Sequence, residues 1–477
     1  MDTTSYSVGF KSQHNECSDV KLTVTGTIPQ WLEGTLIRTA PSKFEVGNDR
    51  YRHWFDGLAM LHKFVIKDQQ VSYSSKYLES EVYKKAMKKG KIAHGEFGTD
   101  PCRDLFQKVF SFFRGPTPTD NGCVNIIKYG NDVASCTETP NPKVFSLETL
   151  ETEGNYRFED KLPGQLTPVH PHIDNEGNLY SYLTEIAYKC FYHIYEAPAG
   201  SKERRLIASI PTKEFAYIHS FGMTENYLVF LENPLISTPL EFRFLDKPFI
   251  EKFKWKAERG TIIHLIHKRS GEVKTLKTDA FFCFHHANAF EQGDEIYFDL
   301  ITYEDASIVD YLYLDELRAN NPSLAAGKLW RFHIPASRNK VYKRLLSELA
   351  VELPRTNYSE INTRPYQYVY AAANLVPGNF LDALTKINVN TGEEVIWKQE
   401  ACYPGEPVFV QQPSARSEDD GVILSVVLDA NKHTSFLLIL NAGDLQEIAR
   451  AEVPQHITFG FHGQFFSSSL LKEQGLD

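Results

Sequence analysis

The 477-residue sequence predicts an all-β fold, a β-propeller with divergent blades, and three observations carry that expectation. Short apolar segments with strand character recur along nearly the whole length, separated by turn residues. Helical periodicity is confined to a few places, and nothing alternates strand with helix as a parallel sheet requires. Composition agrees: 13% aromatic and 42% hydrophobic residues, with 28 Gly and 24 Pro, suit a large β-rich protein with a substantial core.

In chain order, Leu22 to Gly26, Gly34 to Arg38 and Leu61 to Ile66 read as strands, with Gly47-Asn48-Asp49 and Asp56-Gly57 as turns. Residues 101 to 115 differ, because Phe106, Val109, Phe110 and Phe113 fall at helical spacing between basic residues. The strand rhythm then resumes. Asn121-Gly122 precedes Val124 to Ile127, Asn175 to Asn178 precedes Leu179 to Leu183, and Tyr227 to Leu231 follows. Val144 to Thr149 and Lys386 to Val389, the latter running into Asn390-Thr391-Gly392, look like blade strands joined by hairpins. Asp420-Gly421 leads into Val422 to Val427, and Ser435 to Leu440 closes the series. The chief remaining helix signal is Tyr311 to Ala319. No Gly/Ser-rich or Pro-rich linker divides the chain, so residues 1–477 are expected to form one domain.

A formal net charge of -10 argues against general affinity for nucleic acid or anionic membrane. The seven cysteines, at 17, 102, 123, 136, 190, 283 and 402, show no CxxC spacing and read as reduced thiols of a cytosolic protein. Met1 to Ser5 carries no basic or apolar leader, and no run approaches the roughly 18 apolar residues of a spanning helix. The sequon Asn357-Tyr358-Ser359 reads as chance without secretion. GxSxG, the P-loop, HExxH and a GxGxxG after a strand are all missing.

Chemistry enters with histidine. Phe281 to Phe290 reads as a buried apolar strand, yet it holds His285 and His286. Comparable settings surround His170 and His172 in Val169-His170-Pro171-His172, His219 in Tyr217 to Phe221, and His462 in Gly460 to Phe465. One such histidine is more often a hydrogen-bonded core residue than a ligand. Four in separate segments favour a metal, because inner strands of different blades approach a common axis, and neutral imidazoles suit Fe, Cu, Zn or Ni. Glu138, Glu352 and Glu406, in similar apolar or turn-rich settings, are candidates to accept the ligands' other N–H and offset the ion's charge.

These residues resemble the carotenoid cleavage oxygenases. The likeness is to the metazoan branch that contains the β-carotene oxygenases, the insect carotenoid isomerooxygenase and the retinoid isomerohydrolase of the retinal pigment epithelium. It runs from Gly34 to Arg38, through Arg52 to His62, to Phe461-His462-Gly463, with the landmarks in family order. The resemblance implies a seven-bladed propeller, with a few helices and loops capping one face, whose axis holds non-haem Fe(II) on His170, His219, His285 and His462. It likewise implies that Glu138, Glu352 and Glu406 back the ligands and that Val124 shields one open coordination site. His172 and His286 are then expected to pack or hydrogen-bond nearby, and His53 and His62 to belong to the aromatic motif near the start. Tyr303, after the His285 segment, reads as an aromatic lining the substrate or oxygen site, or as core.

The implied activity is that of a carotenoid cleavage dioxygenase, an oxidoreductase incorporating O2 into one substrate. It would cut a double bond of a carotenoid or apocarotenoid to aldehyde or ketone products, with or without isomerisation. One alternative is a retinyl ester isomerohydrolase. Glu96 to Arg103 is shorter than the loop expected of that enzyme and lacks an aromatic tied to its chemistry, which favours cleavage. A non-catalytic propeller binding an apolar ligand is a further alternative. The resemblance turns residues 103–114 into an interfacial helix, with Arg103, Lys108 and Arg114 near head groups, aided by Phe242 to Trp255. The expected protein is therefore cytoplasmic and peripherally membrane-associated, with Cys102 a free thiol or an acylation site.

Overall fold

The computed structural model describes residues 6–100, 118–244, 247–319, 326–335, 338–376 and 379–473. Every pairing between its strands is antiparallel, and seven sheets carry four or more strands. Five are meanders in chain order, covering residues 125–155, 172–212, 222–278, 286–345 and 350–397. The other two draw on both ends of the chain. Gly463–Ser467 pairs with Gly34–Lys43 in an N-terminal sheet, and Thr23–Gly26 pairs with Glu447–Val453 in a C-terminal sheet. This double stitch fastens the first sheet to the last, so neither end depends on local contacts alone.

Alternating side chains explain why the central strands read as continuous apolar runs. In Gly421–Asp429, Val422, Leu424 and Val426 enter one core, while Ile423 and Val427 enter another. In Thr434–Asn441, Leu437 and Ile439 enter the first, while Phe436, Leu438 and Leu440 enter the second. The C-terminal sheet is thus covered on both faces. Burying one such side chain is worth about 1.5–3 kcal/mol, and truncating Leu438 to Ala would cost about 2–5 kcal/mol.

Three local readings need correction. The helix Glu81–Lys89 was not anticipated. Its signals are the Ser80 hydroxyl accepting the Tyr83 N–H and Gly90 at φ 61° ending it, but only Val82 and Ala86 are buried, so its apolar face is narrow. The stretch 311–319 is not one helix: Ser307–Tyr311 ends before Leu314–Leu317 begins. Finally, the run 281–290 becomes strand only at His286. Phe282 bridges Tyr303 and the register slips between His286 and Asn288. The expected helix at 103–114 and Cys102 lie outside the described residues. The six described cysteines are all free thiols.

Candidate metal centre

All seven of those sheets send one group toward a common point. His170, His219, His285 and His462 lie one to three residues ahead of the inner edge strands His172–Ile173, Gly222–Met223, His286–Gln292 and Gly463–Ser467. The remaining three sheets supply carboxylates. Glu138 follows Asp132–Cys136, Glu352 lies in Ala350–Arg355, and Glu406 follows Cys402–Pro404. At these strand entrances the backbone is still held, with the His285 carbonyl accepting the Ile301 N–H at 3.0 Å.

The four histidines offer ligand nitrogens that all lie within 4.8 Å of one another. Nε2 of His170 is 3.2 Å from Nε2 of His219, and Nε2 of His285 is 3.1 Å from that of His462. Nδ1 of His219 meets Glu138 at 2.6 Å, Nδ1 of His285 meets Glu352 at 2.6 Å, and Nδ1 of His462 meets Glu406 at 2.7 Å. In a neutral ring whose Nδ1–H is given to carboxylate, Nε2 bears a lone pair. The lone pairs of His285 and His462 therefore face each other at a repulsive distance unless a cation joins them. Nitrogens bound at about 2.1 Å and at right angles around one ion are about 3 Å apart, so the donor set fits a metal. His170 differs from the other three in having no carboxylate against its ring among the described residues.

Burial holds the imidazoles of His170, His219 and His462 below their usual range, and the charges of neighbouring histidines press the same way. Around His219 the Glu138 hydrogen bond opposes that push. Neutral rings are the form that binds a metal. Burial alone would raise Glu352. The charge and hydrogen bond of His285, the Leu353 N–H and the Tyr303 hydroxyl together bring its carboxyl below the usual range. Leu353 donates that N–H at 2.6 Å from φ 55°, a conformation a bulky side chain rarely adopts.

The four histidines converge, and Glu138, Glu352 and Glu406 each meet one of them. Val124 precedes the inner strand Asn125–Tyr129 as the ligands precede theirs, and its carbonyl accepts the His462 N–H at 3.2 Å. Tyr303 is buried and donates its hydroxyl to Glu352 at 3.0 Å, so it holds a ligand's partner. His172 spends both ring nitrogens on the Phe221 carbonyl at 2.8 Å and the Tyr358 hydroxyl at 3.0 Å. His286 turns to the Ser220 hydroxyl, and His53 meets the Val309 carbonyl. His62 meets the Tyr73 hydroxyl.

Sequence reasoning passed over three residues at this centre. Tyr217, two residues before His219 and so on the same side of an extended chain, gives its hydroxyl to Glu138 at 2.9 Å. Arg38 and Arg355 approach the Glu406 carboxylate at 3.6 and 3.7 Å. The period-two relation marks Tyr217, whereas nothing in the sequence marks the arginines, which reach Glu406 only through the fold. Aromatic rings continue outward from the histidines, from Phe284 to Phe55 at 6.2 Å, Phe97 at 5.0 Å and Phe249 at 5.7 Å.

The family model described as retinal pigment epithelial membrane protein matches residues 10–467. Beta,beta-carotene 15,15'-dioxygenase of Rattus norvegicus is 35% identical over 520 residues, covering 95% of this chain and 90% of that protein. The Homo sapiens protein of the same name is 34% identical over 521 residues, covering 96% and 94%. The apocarotenoid oxygenase of Synechocystis, solved in cobalt-substituted form, matches with a TM-score of 0.88 at 29% identity, covering 98% of this chain and 99% of that one.

Proposed function

The chain belongs to the carotenoid oxygenase family, and from that membership we propose that it is a non-haem iron dioxygenase cleaving a double bond of a carotenoid or apocarotenoid into two carbonyl products. The observation that carries the reading is the convergence of His170, His219, His285 and His462, three of them backed by a carboxylate. Iron held there supplies the activation of dioxygen toward the polyene.

The chain's own groups do the rest. Glu138, Glu352 and Glu406 accept the Nδ1 protons, which fixes each ring's tautomer and keeps Nε2 free for the ion. Tyr217 and Tyr303 hold two of these carboxylates in place. Val124 is assigned the shielding of one open position, and burial of the rings keeps bulk water from the centre. The aromatic series Phe284, Phe55, Phe97 and Phe249 offers a polyene an apolar approach. That series continues to Phe242, on the short helix Pro239–Phe244, whose Leu240 is 68% exposed.

Peripheral contact with a membrane on its cytoplasmic side belongs to the same proposal. The exposed Leu240 near the outer end of the aromatic series supports it, as do the free thiols. No described helix is long and apolar enough to cross a membrane. Replacing Phe110 and Phe113 by Ser should release the protein from sedimenting liposomes, and unchanged sedimentation overturns the assignment of residues 103–114.

The activity is tested by loading the protein with Fe(II), confirming the metal by elemental analysis, and incubating it with β-carotene and a xanthophyll under air. Carbonyl products from either substrate support the proposal. It fails if neither yields any, or if His219→Ala keeps full activity.

A further inference from the structure

Beside Glu406, whose neighbour Gly405 borders it, lies a cavity of about 20 Å³, lined by Arg38, His62, Gly405, Thr458 and Gly460 among others. Arg38 and His62 face each other directly across the pair Gly34–Lys43 and Leu58–Lys67, so their side chains stand together on one face. His62 is 1% exposed. Its Nδ1 meets the Tyr73 hydroxyl at 2.8 Å, while its buried Nε2 has no partner. Arg38, 5% exposed, gives its guanidinium to the Phe461 carbonyl at 3.1 Å and the Glu406 carbonyl at 3.4 Å, beside the Glu406 carboxylate.

The lining is largely apolar, with Ala40, Val426, Leu428, Ile457 and Phe459, but it brings Arg38, Thr458 and the orphaned His62 together, and a space of this size among them calls for one particular occupant. A water needs roughly 10–15 Å³ and at least two polar partners, and both are present. Two glycines border the space. A Cβ on Gly405 would come 3.5 Å from Arg38 Nη2, and one on Gly460 would come 2.8 Å from the Thr39 carbonyl oxygen.

We propose that this cavity holds one buried water that donates to His62 Nε2 and accepts from Arg38, which makes His62 a positioning residue for the Glu406–His462 arm of the metal centre. The water fixes the neutral His62 tautomer whose Nδ1–H is given to Tyr73. It also holds the guanidinium against Glu406, and Glu406 in turn aims the His462 ring. The positioning role rests on the metal reading above; the water itself does not.

The test is a crystal structure of the wild-type chain with a Co2+ titration, followed by its visible absorption, of wild type, His62→Phe and His62→Gln. The expected results are density for a water within hydrogen-bond distance of both His62 Nε2 and Arg38, and Co2+ affinity weakened about tenfold in His62→Phe. Near-wild-type affinity is expected in His62→Gln, whose amide can still meet the water. Absence of that density overturns the proposal whether or not His62→Phe folds. Wild-type Co2+ affinity in His62→Phe overturns the positioning role. A wild-type chain that takes up no Co2+ overturns the metal reading instead, and the density at His62 still decides the water.

Discussion

Two histidine motifs each split between two environments, and the split separates ligand from scaffold. His170 and His285 aim at the axis, whereas His172 and His286, their near neighbours in sequence, turn to the inner strands and loops beside it. All four rings belong to the same apolar surroundings. The partner on the second nitrogen distinguishes them best. His285 gives Nδ1 to the Glu352 carboxylate and leaves Nε2 facing His462 at 3.1 Å. His172 satisfies both nitrogens with a carbonyl and a hydroxyl, leaving no lone pair for an ion. A carboxylate on Nδ1 with Nε2 left facing another imidazole marks His219, His285 and His462, whereas His170 reaches the centre without one and His264 meets the buried Glu232 without joining it.

The largest expected effect breaks the inner set. In His285→Ala, iron content of the purified protein should fall to background, with loss of product formation, because three imidazoles no longer enclose the ion. Elemental analysis checks this, and retained stoichiometric iron would remove His285 from the ligand set. The next effect leaves the ligands in place. Glu352→Gln keeps the shape but not the charge, so metal affinity should weaken about 10–100-fold by competition with a chelator.

Breaking the outer set should move stability instead. His172→Ala strips the Phe221 carbonyl and the Tyr358 hydroxyl of a partner. Urea unfolding should show a loss of about 2 kcal/mol while metal content holds. Loss of metal in that variant would erase the distinction between the two sets.

The smallest effect is a change of slope with pH. Burial, with the charges of His172 and His285 after it, pulls the His286 imidazole down to about 3. As pH falls through about 6.5 the unfolded chain takes up a proton that the folded ring refuses. The stability that neutral His286 contributes above that pH is therefore lost progressively as pH falls toward 3. In His286→Phe, stability measured by urea unfolding across that window should fall less steeply, by up to about 1.4 kcal/mol per pH unit. An identical slope would show that His286 is protonated in the folded state.

Much of the centre was legible because its chemistry is written in residue types that an apolar segment does not otherwise need. His170, His219, His285 and His462, with Glu138, Glu352 and Glu406, are polar groups in apolar or turn-rich settings, and the all-β architecture follows from short strands with turn punctuation. The helix Glu81–Lys89 escaped because nine residues with two buried side chains give too weak a period. Its caps were readable, but they gain meaning only once Val46, Tyr51 and Leu58 form the surface it covers.

By itself, then, the sequence determined the strand-rich class and the ligand chemistry, with Glu138, Glu352 and Glu406 as candidate carboxylates, and the structure paired them with His219, His285 and His462. The resemblance named His170 and His285, and tertiary structure supplied the reason: one step along an extended chain turns His286 away from His285 to the Ser220 hydroxyl, while His172, two steps from His170, is drawn to the Phe221 carbonyl. Tertiary structure also decided that His285 stands just ahead of its strand, that Arg38 and Arg355 reach Glu406, and that His62 borders a cavity beside Arg38. Those contacts join residues tens to hundreds of positions apart, and only the packing of separate sheets beside one another brings them within bonding distance.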